Sequence, residues 1–209
     1  PNYCLYLKGS MLSMSIEQAI GRLFFIGISG PELDAHTETL LTDIRPGGVC
    51  LFARNIKTPE QTRTLLNGIR ETLKYEPFVS IDQEGGRVDR LRRIITPMPA
   101  AIRFKRVKDV EDSARINAEV LRLLGFNMNF APVVDVIDDD RESTTNGLYS
   151  RGYGRSSDEV IKLAGRFIDK LQAGGIVGCI KHFPGLGASA VDSHDDLPSV
   201  DISSDELAQ

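Results

Sequence analysis

Residues 78–91 read FVSIDQEGGRVDRL, and this stretch decides the fold. A short, continuous apolar run comes first, and acidic residues, two glycines and two arginines follow it at once. Such a run is typical of a strand covered on both faces, as in a parallel sheet flanked by helices. We therefore predict a buried parallel strand at residues 78–81, with the polar residues lying at its carboxyl end.

The same alternation of strand and helix repeats along the chain. Apolar runs predict strands at residues 23–27, 48–52, 78–81, 128–134 and 176–180. Helices are predicted at residues 16–22, 32–42, 59–74, 109–124 and 157–171, with another beginning near residue 203. Thr58 and Pro59 form a good helix start, because threonine caps and proline suits the first helical position. Five strand–helix units in order predict an α/β fold with a parallel sheet.

Polar residues directly follow several of these predicted strands. Asn55 follows the second strand, residues 82–86 the third, Asp135 the fourth, and Lys181 with His182 the fifth. In parallel α/β folds, functional groups sit at the carboxyl ends of the strands. The sequence therefore predicts a site at that end.

Composition limits the classes of protein that this chain can represent. It has 209 residues, 41% hydrophobic and 26% charged, with a net charge of −4 and a pI of about 5.5. These values suit a soluble globular domain and argue against disorder, a coiled coil or a dedicated nucleic-acid binder. The apolar runs are too short for a transmembrane helix. Three widely spaced cysteines predict neither a disulfide framework nor a zinc site and favour a reducing compartment.

The polar half of residues 81–91 can recognise hydroxyl groups. Asp82 at a strand end can accept a pair of hydroxyl protons, and Arg87 and Arg90 can bind carboxylates or hydroxyl oxygens. The glycines allow the backbone to approach a ligand closely. The alternative interpretation is a local network of Asp–Arg ion pairs that organises the turn.

A second motif, IKHFPGLGASAVDSHDDLP, spans residues 180–198. Lys181 and His182 follow a predicted strand, and a Gly/Pro-rich loop leads to Asp192 and His194. An aspartate that accepts from one ring nitrogen raises the basicity of the other, so this pair could transfer protons near neutral pH. A solvated loop is one alternative. A metal site with carboxylates such as Asp196 is another, although the spacing lacks a HExxH pattern.

Several motifs together resemble glycoside hydrolase family 3, in particular its single-domain bacterial β-N-acetylhexosaminidase branch. They are IDQEGGRVDRL, GFNMNFAPVVDV, the arginine of SRGYG, and KHFPG followed by VDSH, in this order over roughly residues 16–198. The resemblance implies a (β/α)8 TIM-barrel fold, of which this chain supplies about the first five βα units. Residues 11–209 would then be the N-terminal part of the catalytic barrel. Residues 1–10 are expected to be a vector-derived or disordered leader.

The resemblance also implies roles for individual residues. His194 would be the proton donor and then the general base, with Asp192 as its partner. The substrate-binding residues would be Asp82, Arg90, Arg151, Lys181 and His182. No metal or cofactor is implied, and the family nucleophile, an aspartate on a later strand, is expected beyond Gln209. After KHFPG the family commonly has HGDT, whereas residues 186–189 read LGAS here.

The expected activity is that of a retaining glycosidase that removes terminal β-linked N-acetylglucosamine. Peptidoglycan fragments recycled in the cytoplasm are the expected substrates, with neither nucleic acid nor membrane as a partner. Open sheet edges on a five-strand piece would favour self-association. Two alternatives remain, namely a sugar-binding half-barrel without turnover and another family 3 activity such as a β-glucosidase.

Overall fold

The computed structural model describes residues 14–137, 148–189, 196–200 and 203–207. The chain divides into two compact units. Unit 1 comprises the chain up to Ile81 together with Leu124–Phe126, and unit 2 comprises Asp82–Leu123 together with the chain from Asn127 onward. Each unit is described separately below.

Unit 1 alternates helices with parallel strands. Its elements are α1 (Ile16–Gly21), β1 (Phe25–Gly27), α2 (Ala35–Ile44), β2 (Gly48–Leu51), a short 3-10 helix (Ala53–Asn55), α3 (Pro59–Leu73) and β3 (Phe78–Ile81). β2 pairs in parallel with both β1 and β3, so that Gly48 lies opposite Phe25 on one side and Phe78 on the other. Every residue of β2 is buried, as expected for a strand covered on both faces.

Helix α3 forms where its capping residues predict it. The Thr58 side chain accepts a hydrogen bond from the Gln61 amide at 3.1 Å, and Pro59 occupies the first helical position. The helix ends at Leu73, and the C-cap residue Lys74 has a left-handed backbone with φ of 58°. Its apolar face is buried and comprises Leu65, Leu66, Ile69 and Leu73. This stripe recurs at helical spacing, and its burial is what stabilises the helix.

Unit 2 contains both a parallel strand pair and a hairpin. Its elements are β4 (Gln83–Gly85), β5 (Val88–Asp89), a 3-10 helix (Ala101–Arg103), α4 (Val107–Leu124), β6 (Met128–Asn129), a 3-10 helix (Leu148–Arg151), α5 (Ser157–Ala173), β7 (Val177–Gly178) and α6 (Ser204–Leu207). β6 and β7 are parallel, whereas β4 and β5 are antiparallel. The Ser156 side chain caps α5 by accepting from the Glu159 amide.

The predicted α/β class is confirmed, but two local predictions need correction. The strands predicted at residues 128–134 and 176–180 are regular only over Met128–Asn129 and Val177–Gly178. Pro132 has no amide proton for a ladder, and pairing resumes as a parallel bridge between Val133 and Lys181. The hairpin β4–β5 was not predicted at all. Among the helices of the described residues, none is both long and apolar enough to cross a bilayer.

Two glycines in helices give opposite expectations for substitution by alanine. A Cβ at Gly165, inside α5, would meet no atom within 4 Å, so Gly165→Ala should stabilise the protein by up to about 1 kcal/mol. A Cβ at Gly21 would collide with the backbone carbonyl of Ile44, so Gly21→Ala should destabilise it by about 1–3 kcal/mol. Urea unfolding of both variants checks the pair, and changes of the same sign would contradict it.

Candidate functional site

Charged side chains from four separate parts of unit 2 meet in one place, which we call the polar cluster. Its members are Asp82, Glu84, Arg90, Asp135, Arg151, Lys181 and His182. They come from the start and end of the β4–β5 hairpin, from the segment after β6, from the 3-10 helix before α5, and from the segment after β7. Three carboxylates, three cations and one imidazole are therefore brought together.

Lys181 is the central cation of the polar cluster. Its Nζ lies 2.6 Å from Asp82 Oδ1 and 2.6 Å from Glu84 Oε1. Asp82 also faces Arg90, whose Nη2 lies 3.9 Å from Asp82 Oδ2. Asp82 thus keeps one oxygen close to a lysine and the other near a more distant guanidinium.

Glu84 links Lys181 to Arg151 and is the more deeply buried of the two acids that contact Lys181. The Arg151 guanidinium donates to both Glu84 oxygens, Nε at 2.8 Å and Nη2 at 2.9 Å. Burial alone would lower the pKa of Arg151, but the hydrogen bonds and charge of Glu84, with the charges of Asp82 and Asp135, raise it. This bidentate geometry fixes the guanidinium plane.

Asp135 holds His182 and the segment that follows it. Its fully buried carboxylate lies 2.6 Å from His182 Nδ1 and accepts from the backbone amides of His182 and Leu186 at 3.2 and 2.6 Å. Burial acts to raise the pKa of Asp135, yet these hydrogen bonds outweigh it and lower the pKa. A carboxyl with a lowered pKa stabilises the fold above its unfolded value of about 3.9 and loses that contribution as the pH falls further.

A buried network around Gln83 shapes the hairpin beneath Asp82 and Arg90. The Gln83 side-chain oxygen accepts from the Arg90 and Leu91 amides at 2.9 and 3.2 Å, and its Nε2 donates to Asp89 at 2.9 Å. Its backbone exchanges hydrogen bonds with the Asn129 side chain. These bonds set the positions of Asp82 and Arg90 relative to each other.

The segment after His182 packs onto unit 2 through an apolar contact. Leu186 packs against the apolar cluster Val133, Ile137 and Leu148. A Cβ on Gly187 would collide with the Val136 carbonyl, so the backbones approach closely there. Apolar packing and the Asp135 bond therefore anchor this segment.

An open cavity of about 380 Å³ lies beside His182. Asp135, Lys181, Pro184 and Gly187 are among its lining residues, and its volume falls in the range of small-molecule sites. Arg90 Nε is buried and has no acceptor among the described residues. A site with several donors and acceptors in fixed positions suits a ligand with many hydroxyl groups. Within the part of the chain that is described, no group of His, Cys, Asp and Glu side chains is arranged to hold a metal ion.

The structure brings together all five residues predicted to bind substrate: Asp82, Arg90, Arg151, Lys181 and His182. Asp192 and His194, predicted to be catalytic, lie outside the described residues. Glu84 and Asp135 were placed after predicted strands by the sequence, but neither was assigned a substrate-binding or catalytic role. The available signal was their position, since each lies shortly after an apolar run in the sequence.

Comparison with known proteins places this geometry in a family. A model described as the glycosyl hydrolase family 3 N terminal domain matches residues 15–209. The chain belongs to glycosyl hydrolase family 3. That domain is a TIM-barrel-type α/β fold, so the predicted fold is confirmed, and the strands and helices described above form part of the barrel.

Several relatives of known name match this family 3 chain. A protein from Alkalilimnicola ehrlichii named beta-hexosaminidase is 33% identical over 182 residues, which is 83% of this chain and 51% of the relative. A family 3 beta-N-acetylglucosaminidase structure from Paenibacillus sp. has 30% identity and a TM-score of 0.85, covering 94% of this chain and 38% of that one. NagZ from Neisseria gonorrhoeae has 31% identity and a TM-score of 0.79, covering 88% and 55%. The family 3 chain thus spans about half the length of the curated relatives it matches.

Proposed function

We propose that this chain is the substrate-binding part of a retaining glycosidase that removes terminal β-linked N-acetylglucosamine. The observation that carries the proposal is the convergence of Asp82, Arg90, Arg151, Lys181 and His182 in one polar cluster. Membership of family 3 and relatives named beta-hexosaminidase support the choice of sugar.

The chemistry of the polar cluster fits recognition of a pyranose. The Asp82 oxygens can accept from neighbouring hydroxyls, while Lys181 and Arg90 can donate to hydroxyl oxygens. The side chains of Arg90 and Asp82 are 31% and 20% exposed, so both remain accessible to a ligand. Ion pairs already orient each of these side chains, so they lose little conformational entropy when a ligand binds.

The proposed reaction places His194 as the acid that protonates the leaving oxygen. An aspartate nucleophile of the family barrel, not assigned to any of these residues, would attack the anomeric carbon. Water would then hydrolyse the glycosyl-enzyme while His194 takes its proton, with Asp192 orienting the imidazole. The roles of Asp192 and His194 in this reaction are inferred from their sequence motif alone.

The proposed setting is the cytoplasm, where peptidoglycan fragments that carry terminal N-acetylglucosamine would be recycled. The resemblance of the sequence motifs to the β-N-acetylhexosaminidase branch of family 3 motivates this substrate class. If the 209-residue chain occurs without the remaining strands of the barrel, self-association through open sheet edges is part of the same proposal, because unpaired strands favour pairing with another copy.

Calorimetric titration of the chain with N-acetylglucosamine and with glucose tests the proposal. We expect tighter binding of N-acetylglucosamine, and Lys181→Met should weaken it about 10-fold to 100-fold, because a charged donor is lost. Lys108→Met is the matched control, since Lys108 is an exposed lysine of α4 that pairs with Asp112 away from the polar cluster. Its affinity should equal that of the unsubstituted chain.

A chromogenic β-N-acetylglucosaminide adds a second readout to the same samples. Preferred binding or turnover of the glucoside would favour a β-glucosidase instead. Binding without hydrolysis would favour the sugar-binding alternative for this chain, whereas equal weak responses to both sugars and to both lysine variants would refute the proposed site.

A further inference from the structure

His182 lies between a carboxylate and a guanidinium on its two ring nitrogens. Nδ1 is 2.6 Å from the buried Asp135 Oδ2, and Nε2 is 3.5 Å from Arg151 Nη2. A guanidinium can only donate hydrogen bonds, and an ionised carboxylate can only accept them. These two neighbours therefore impose opposite demands on the two nitrogens.

We infer that Asp135 is a positioning residue that holds His182 in the Nδ1–H tautomer and anchors the segment after it through Leu186. In this tautomer Nδ1–H donates to Asp135, and Nε2 carries a lone pair on the side of Arg151. Nε2 has a single lone pair, so it can accept from a ligand hydroxyl only in place of Arg151, and it cannot donate. The hydroxyl contact rests on the proposed function, whereas the tautomer does not.

The fixed position of Arg151 strengthens this assignment. Both of its hydrogen bonds to Glu84 hold the guanidinium plane, so Nη2 cannot turn away from the imidazole without breaking the bidentate pair. A proton on Nε2 would point toward this cation, which electrostatics disfavours. The lone pair on Nε2 is the arrangement that suits both neighbours.

The second task of Asp135 concerns the backbone after His182. Oδ1 accepts from the Leu186 amide at 2.6 Å, while Oδ2 takes the imidazole and the His182 amide. The two oxygens therefore serve different donors. One side chain thus couples the orientation of a ring to the position of the segment that leads toward residue 189.

Nitrogen-15 NMR of the imidazole rings tests the inference without any sugar. The chain has three histidines, so His36→Gln and His194→Gln variants assign the signals of His182. The spectra are recorded at mildly alkaline pH. We expect His182 to give a protonated Nδ1 signal and an unprotonated Nε2 signal. A protonated Nε2 in the unsubstituted chain would overturn the inference directly.

The Asp135→Asn substitution tests the role of Asp135 itself. In Asp135 the two carboxylate oxygens share the donors of His182 and Leu186. The asparagine side chain has only one oxygen, so the variant should lose either the Nδ1–H tautomer of His182 or the hydrogen bond from the Leu186 amide. Loss of the bond appears as amide exchange of Leu186 that is about 10-fold faster or more. Asp112→Asn, an exposed aspartate of α4, is the matched control and should change neither signal. Persistence of both signals in Asp135→Asn would refute the role of Asp135.

Adding N-acetylglucosamine separates this inference from the proposed function. A shift of the His182 Nε2 signal on titration supports the hydroxyl contact. If the tautomer is as expected but no sugar response occurs, the proposed function fails and the positioning role of Asp135 stands.

Discussion

Glu84→Gln should lower the free energy of unfolding by about 3–5 kcal/mol, the largest stability effect that we expect from a single substitution. Glu84 is 5% exposed and receives two bonds from Arg151 and one from Lys181, and these cations are 15% and 14% exposed. Without the Glu84 charge, two shielded cations lose their shared partner. Urea unfolding followed by circular dichroism measures the change.

Glu119→Gln is the matched control for this substitution. Glu119 pairs with Arg115 on α4 at 3.7 Å, but both side chains are more than half exposed. Solvent screens such a pair, so its removal should change stability very little. Equal effects at positions 84 and 119 would contradict the buried ion-pair network. Glu84→Gln should also weaken sugar binding, because Lys181 and Arg151 lose the group that orients them.

His194→Gly should reduce hydrolysis of a natural disaccharide by roughly 10²–10⁴-fold, in a preparation that shows turnover. The reason is that His194 is proposed to protonate the leaving oxygen. Aryl glycosides with good leaving groups need little protonation, so their rates should fall much less. Steady-state kcat values for the two substrate types give the comparison.

The contrast between substrates is the critical part of this second test. Equal losses on both would refute the acid role of His194 and point to a positioning role instead. Ser193→Gly is a neighbouring control, since Ser193 carries no proposed proton-transfer role, and it should leave the ratio between the two substrates unchanged.

Local signals in the sequence were sufficient for much of the fold. Helix α3 was predicted from Thr58, Pro59 and a helical apolar stripe, all of which act within a few residues. The continuous apolar run of β2 predicted a fully buried parallel strand, and all of its residues are buried. These elements depend on capping geometry and on the period of hydrophobic residues, which are properties of short stretches.

The hairpin β4–β5 illustrates what local patterns miss. Residues 83–89 contain too few apolar residues in alternation to predict strands. The hairpin is stabilised by Gln83, which bonds to Asn129 and Asp89, and by the Asn117 side chain, which donates to the Gln83 carbonyl. Asn117 and Asn129 lie 34 and 46 residues further along the chain, so their partnership arises only in the folded state.

The amino-acid sequence by itself determined the α/β class, because strand periodicity is a property of neighbouring residues. Its motifs indicated the family and, through that resemblance, a common role for five polar residues. Only the tertiary structure decided that Glu84 and Asp135 belong to the same cluster. Their importance comes from burial beside Arg151, Lys181 and His182. A carboxylate acquires such a role only when folding removes it from water and places a cation or a ring nitrogen within hydrogen-bond distance.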